Sequence, residues 1–199
     1  MGRMKLVRIL GLITLIGMPL LAILLAWIFN LDYNLKQWFL PENFWKQLLI
    51  GLVYGLIIAI IASWITERKF MTKVKSKYSR LLGNLNLSWF DVFFLSVCAG
   101  IGEEILFRFA LQRLTGVWIA AIIFVAIHGY LNYKDRALCV YGVFMVIASA
   151  GFGYLTLKLG LLSAMVAHIT VDVYLLVQVK LEQKSLELQN IKNDSDPEY

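Results

Sequence analysis

Glu103, Glu104, Arg108, His128, His168 and Asp172 are the side chains of this sequence best suited to acid–base or metal chemistry, and all six fall in apolar runs. An ionised residue at a bilayer centre costs upward of about 2.5 to 3.5 kcal/mol, so Glu103, Glu104 and Arg108 within two helical turns imply a polar, partly wet site inside the membrane. Glu104 and Arg108 are spaced i, i+4 with the acid first, the favoured order for a helical ion pair, so Arg108 can neutralise and orient Glu104. Glu103 points about 100° away and stays available. A carboxylate desolvated beside a histidine suits a general base acting on water. His168 and Asp172, again i, i+4, share one helix face and could give hydrogen-bond donors to an oxyanion, if Asp172 is protonated, or ligands to a metal.

The elements that must position these groups are membrane helices. Of 199 residues, 60% are hydrophobic and 16% charged, with three prolines and a mean hydropathy of +0.72, too apolar for a soluble domain of this length. The net charge of +6 sits in short segments between apolar runs, where the positive-inside rule accounts for it and nucleic-acid binding does not. Cys98 and Cys139 lie in apolar runs without zinc or disulfide spacing and read as buried thiols. His128 and His168 are the only histidines, and neither is spent on a loop.

A span needs about 20 mostly apolar residues. Leu6 to Phe29 qualifies first, behind Arg3, Lys5 and Arg8, and reads as an uncleaved span because no small-residue cleavage pattern follows. Tyr33 to Lys46, with Trp38, Phe39, Phe44 and Trp45, reads as an interfacial segment leading to a second span, Leu48 to Ile65. Glu67 to Arg80 is strongly basic. The third span starts at Ser88 or Trp89, with Ser88 as N-cap and Asp91 in the first turn, and ends near Leu114 before Thr115-Gly116. The fourth, Val117 to Leu131, is short; Ala137 to Leu157 and Leu161 to Val179 complete six. The basic residues then put both termini, the 67–80 loop and Lys134 to Arg136 in the cytoplasm, with Arg113 and Lys158 opposite. From the outer helix ends at about 1.5 Å per residue, Glu103 lies roughly 15 Å down, His128 roughly 17 Å and His168 roughly 10 Å. Three polar groups from three spans share one slab of membrane.

Glu103-Glu104 with Arg108, Phe124 with His128, and His168 with Asp172 resemble the ordered motifs EExxxR, FxxxH and HxxxN/D of the CAAX protease and bacteriocin-processing (Abi) family of intramembrane proteases. The resemblance covers roughly Ser88 to Val179. It implies an all-α membrane endopeptidase with its core at 88–179, within a polytopic bundle of about six spans that reads as one domain over residues 1–180, followed by a charged tail at 181–199 whose polar composition suits a loosely ordered cytoplasmic segment. It further implies that Glu103 and His128 activate water, and that His168 and Asp172 stabilise an oxyanion or join Glu103 and His128 in holding Zn2+ or another divalent metal. The implied partners are the lipid bilayer and a peptide or membrane-protein substrate, such as a prenylated, leader, pheromone or bacteriocin peptide. The soluble zinc-protease signature HExxH is absent.

Two positions depart from the family pattern. Prenyl-protein proteases usually carry asparagine where this chain has Asp172, an acceptor only when ionised, which favours a metal ligand or a shared proton. Phe109 stands where many bacterial members have glycine. Two other classes compete with the protease reading: a proton-coupled transporter using the same residues as a relay, and a non-catalytic scaffold or immunity protein of the same fold. The transporter would more typically show inverted repeats or Gly/Pro-broken helices, and no proline interrupts a span after Pro19. The pairs Gly100/Gly102 and Gly151/Gly153 read as close-packing points between helices, since no strand or P-loop lysine accompanies them. Small size and minimal loops suit a bacterial plasma membrane.

Overall fold

The computed structural model describes residues 2–32, 43–72, 74–76, 85 and 87–195, with 186–195 given by backbone alone. Trp38 and Phe39 of the expected interfacial segment, and Lys73, Lys77 and Arg80 of the basic loop, lie outside the described residues. Those described form helices α1 (Arg3–Ile28), α2 (Phe44–Thr66), α3 (Trp89–Glu104), α4 (Gln112–Thr115), α5 (Val117–Ile127), α6 (Arg136–Leu159) and α7 (Leu161–Ser195). A short 3-10 turn, Lys69–Met71, follows α2, and a π-helical stretch, Ile105–Leu111, joins α3 to α4. No strand occurs among the described residues.

Four helices, α1, α2, α6 and the Leu161–Ser185 part of α7, are long and apolar enough to cross a membrane. The run from Trp89 to Thr115 is helical throughout but changes register type in its middle, where the charges lie. α5 is shorter than expected. Its 11 residues rise about 17 Å against a hydrocarbon core of about 30 Å. The reason lies just past His128: Gly129 adopts φ 78°, its N–H bonds Ala126 O at 2.9 Å, and the Tyr130 N–H bonds Val125 O at 3.3 Å. That is a Schellman stop with glycine in the left-handed position. His128 is therefore the C-cap of a half-length helix and not, as its sequence neighbours suggest, an interior residue of a span reaching Leu131.

The tail also departs from expectation, since α7 continues past Lys180 to Ser195. Leu, Glu, Gln and Lys dominate 181–189, and these residues extend an existing helix at little cost. Cys98 is buried as expected, while Cys139 is only half-buried.

Small residues set the helix packing. A Cβ at Gly55 would strike the Ala167 carbonyl and Thr170, and one at Gly51 the Ser163 carbonyl, so α2 lies backbone to backbone on α7. Gly100 faces Ile169 of α7, Gly102 the Thr14 carbonyl of α1, Gly151 the Tyr54 ring of α2, and Gly153 the Gln112 side chain. All four are contact points, as their pairing suggested. α3 starts with a capping box: Ser88 Oγ accepts from Asp91 N at 3.2 Å, and Asp91 Oδ2 accepts from Ser88 N at 2.9 Å. Asp91 also pairs with Arg8 of α1 at 2.7 Å, and Lys180 of α7 donates to Leu87 O. These ties fix one end of α3 against α1 and α7, leaving its other end to carry the charged cluster inward.

Candidate active site

Glu104 and Arg108 are both fully buried, and Arg108 Nε donates to Glu104 Oε2 at 2.7 Å. Burying this pair is costly unless the remaining atoms find partners, and all but Arg108 Nη1 do. Arg108 Nη2 donates to Ser149 Oγ of α6 at 2.9 Å, and Glu104 Oε1 accepts from His168 Nδ1 of α7 at 2.9 Å. The π-helical turn supplies the geometry. Arg108 lies within this turn, reaching back to Glu104 and sideways to α6, and π-helical segments are often found at functional sites.

Glu103 occupies the neighbouring face. Its Oε2 is buried without a hydrogen-bond partner and lies 3.6 Å from His128 Nε2 and 3.9 Å from His168 Nε2. Both histidines have their other nitrogen committed. His128 Nδ1 lies 2.7 Å from Phe124 O; a carbonyl only accepts, so Nδ1 donates, and in the neutral ring Nε2 is left with a lone pair. His168 Nδ1 is held by Glu104 in the same sense. Asp172 Oδ2 stands 3.6 Å from His168 Nε2. Two imidazole edges and two carboxylates thus converge just beyond direct hydrogen-bonding distance.

Aromatic rings form the walls. The Phe124 ring centroid lies 4.4 Å from that of His128 and 5.7 Å from that of His168, and Arg108 sits 5.9 Å from the same ring. Phe152 of α6 stacks on His168 at 5.7 Å and 22°. Phe109 is buried in the core group that holds Ala22 and Ala26 of α1 together with Phe124, so the bulk at this position packs beside the site wall.

The structure brings all six sequence-derived residues into one centre. Sequence reading missed Ser149 and Phe152, which sit on α6, a helix with no charge at this depth to draw attention. It also missed the Schellman stop after His128, for which Gly129 was the available signal.

The residue types match those of divalent-metal sites, including histidines whose second nitrogen is oriented by an acceptor. As arranged, however, no three or more His, Cys, Asp or Glu side chains among the described residues stand together in a metal-binding geometry. A cavity of about 470 Å3 opens toward the 67–75 segment, with Tyr130, Tyr141, Leu175 and Val179 among its walls. Tyr130 stacks on His128 at 6.1 Å and 7°, so the cavity and the cluster share a wall. At the cavity rim Lys75 bonds Glu67 at 2.6 Å and lies 3.5 Å from Glu182. The hydrogen bond to Glu67 holds the Lys75 ammonium above the ordinary lysine pKa.

The described helices, four of them long and apolar enough to cross a membrane, enclose a buried cluster of carboxylates and imidazoles. Residues 85–174 match a family model described as Rce1-like, type II CAAX prenyl endopeptidase Rce1-like. This segment contains all six residues of the centre, and through it the chain is similar to that protease family. No curated protein and no solved structure matches the chain.

Proposed function

We propose that this protein is an intramembrane endopeptidase in which Glu103 is the general base and His128 helps hold the attacking water. The observation that carries this reading is the Glu103 carboxylate, whose Oε2 is buried without a hydrogen-bond partner and faces the Nε2 atoms of both histidines. A water between Glu103 and His128 loses a proton to Glu103 as its oxygen bonds the peptide carbonyl carbon. The carbonyl oxygen becomes an oxyanion, stabilised by a protonated His168 Nε2–H, with Asp172 balancing the imidazolium. The intermediate collapses, the C–N bond breaks, and Glu103 returns its proton to the leaving amine.

Glu104 and Arg108 serve in orientation. Their ion pair neutralises a buried charge and holds His168 in one rotamer through its Nδ1–H. The cavity beside Tyr130 receives a stretch of substrate peptide adjoining the scissile bond, since its walls are chiefly apolar and it abuts the cluster. Residues 1–180 act as one membrane domain in this reading, with the termini and the 67–80 loop in the cytoplasm, and a bacterial plasma membrane suits the chain.

The test is a comparison of membrane peptide pools from cells carrying the native chain or Glu103→Ala, followed by cleavage of any peptide that differs using purified protein. Peptides that accumulate uncut with the variant, and that the native protein cleaves in detergent, support the reading. Identical pools together with no cleavage reject it.

A further inference from the structure

We propose that Ser149 is a positioning residue for the cluster, acting through Arg108 and Glu104 on His168; this rests on the peptidase reading above. The first observation is the hydroxyl's unusual engagement. A serine or threonine inside a helix commonly donates to the carbonyl four residues back, as Ser96, Thr156 and Thr170 do here with Val92, Phe152 and Val166. Ser149, 1% exposed, instead accepts a charge-assisted hydrogen bond from Arg108 Nη2 at 2.9 Å.

The second observation is continuity. From Ser149 Oγ the bonds run to Arg108, from Arg108 Nε to Glu104 Oε2 at 2.7 Å, and from Glu104 Oε1 to His168 Nδ1 at 2.9 Å. The first and last links cross between helices and the middle one lies within the Trp89–Thr115 run, so α6 is joined to α7 through Arg108 and Glu104. Arg108 needs such an anchor because a guanidinium with five N–H groups can rotate about a single bond to a carboxylate. With Nε on Glu104 and Nη2 on Ser149, its plane is fixed, and with it the carboxylate that orients His168.

The third observation is register. Gln112 Nε2 donates to Gly153 O at 3.2 Å, one helical turn beyond the Arg108 to Ser149 bond, and both pairs are 41 residues apart. Two polar ties four residues apart set α6 parallel to the Arg108–Gln112 stretch and prevent it from sliding. The approach is close at this point, since a Cβ at Gly153 would strike the Gln112 side chain.

The experiment compares Ser149→Ala, which removes the acceptor at nearly constant volume, with Ser149→Thr, which keeps it, and with Thr156→Val, which deletes another buried hydroxyl on α6 bonded only within its own helix. Two readouts are taken on detergent-purified protein: peptide turnover, and the ring nitrogen and Nδ1–H resonances of 15N-histidine, simple to assign with two histidines. Ser149→Ala is expected to lower kcat about tenfold with KM within about twofold, the scale of one charge-assisted hydrogen bond, and to shift the His168 resonances. Ser149→Thr restores both, and Thr156→Val changes neither. An unchanged His168 spectrum in Ser149→Ala, or an equal kcat loss in Thr156→Val, overturns the proposal. The spectrum needs no substrate, so a native protein without peptidase activity would reject the peptidase reading while the His168 shift still decides whether Ser149 is coupled to the imidazole.

Discussion

Glu104 Oε1 and His168 Nδ1 are hydrogen-bonded at 2.9 Å although 64 residues separate them. This bond gives Glu104 two tasks at once: one oxygen takes the Arg108 guanidinium and the other fixes the imidazole. Adjacent glutamates in one helix thereby diverge in chemistry, because a rotation of about 100° sends Glu104 toward Arg108 and His168 Nδ1 and Glu103 toward the two Nε2 atoms.

Replacing Glu103 by Gln keeps the volume and removes the proton acceptor. Cleavage should fall by about 10²- to 10⁴-fold, the usual contribution of a general base. Circular dichroism and gel filtration in detergent should match the native protein, since Glu103 Oε2 holds no hydrogen bond to lose. Native-level turnover by the purified variant would remove Glu103 from the mechanism.

Removing Arg108 should act mainly on stability. Arg108→Ala leaves Glu104 buried at 0% exposure without its cation, a loss on the order of 3–5 kcal/mol. Adding Glu104→Gln to Arg108→Ala removes the orphaned charge and should recover part of the thermal midpoint without recovering cleavage. A double variant no more stable than Arg108→Ala would mean that Glu104 is not the source of the loss.

The site was legible in the sequence to a greater degree than the fold around it. Charges are costly in lipid, so Glu103, Glu104, Arg108, His128, His168 and Asp172 stood out against apolar neighbours, and the Glu104 to Arg108 spacing foretold their 2.7 Å pairing. Ser88 and Asp91 signalled their capping box by type and position. Less visible were features that depend on backbone conformation. The π-helical turn over Ile105–Leu111 has the composition of an ordinary helix, and hydropathy carried α5 through Gly129 because Tyr130 and Leu131 are as apolar as a span requires. Ser149 was hidden for a different reason: a small hydroxyl on a membrane helix usually serves its own backbone, and only the tertiary arrangement shows that it serves Arg108.

Metal dependence can be tested directly. The mechanism proposed here runs through side chains and water, so chelator-treated protein shown by elemental analysis to be free of transition metals should retain its turnover. Loss of activity that returns on adding Zn2+ would instead make Glu103, His128, His168 and Asp172 a ligand set whose side chains close in around an ion.

Gly129 offers a test of how tightly local backbone structure controls the centre. Its φ of 78° ends α5 and sets the angle at which His128 leaves the helix, while nothing lies within 4 Å of where a Cβ would be. Gly129→Ala therefore meets no steric clash, only the left-handed conformation, which costs an alanine about 1–2 kcal/mol. Asparagine adopts that conformation more readily, and the chain already uses it so at Asn30, where φ is 50°. Gly129→Ala should then lower kcat several-fold by shifting His128 relative to Glu103, with a modest drop in thermal midpoint, and Gly129→Asn should stay close to native in both. Equal losses from the two substitutions would show that bulk at this position matters and the helix stop does not.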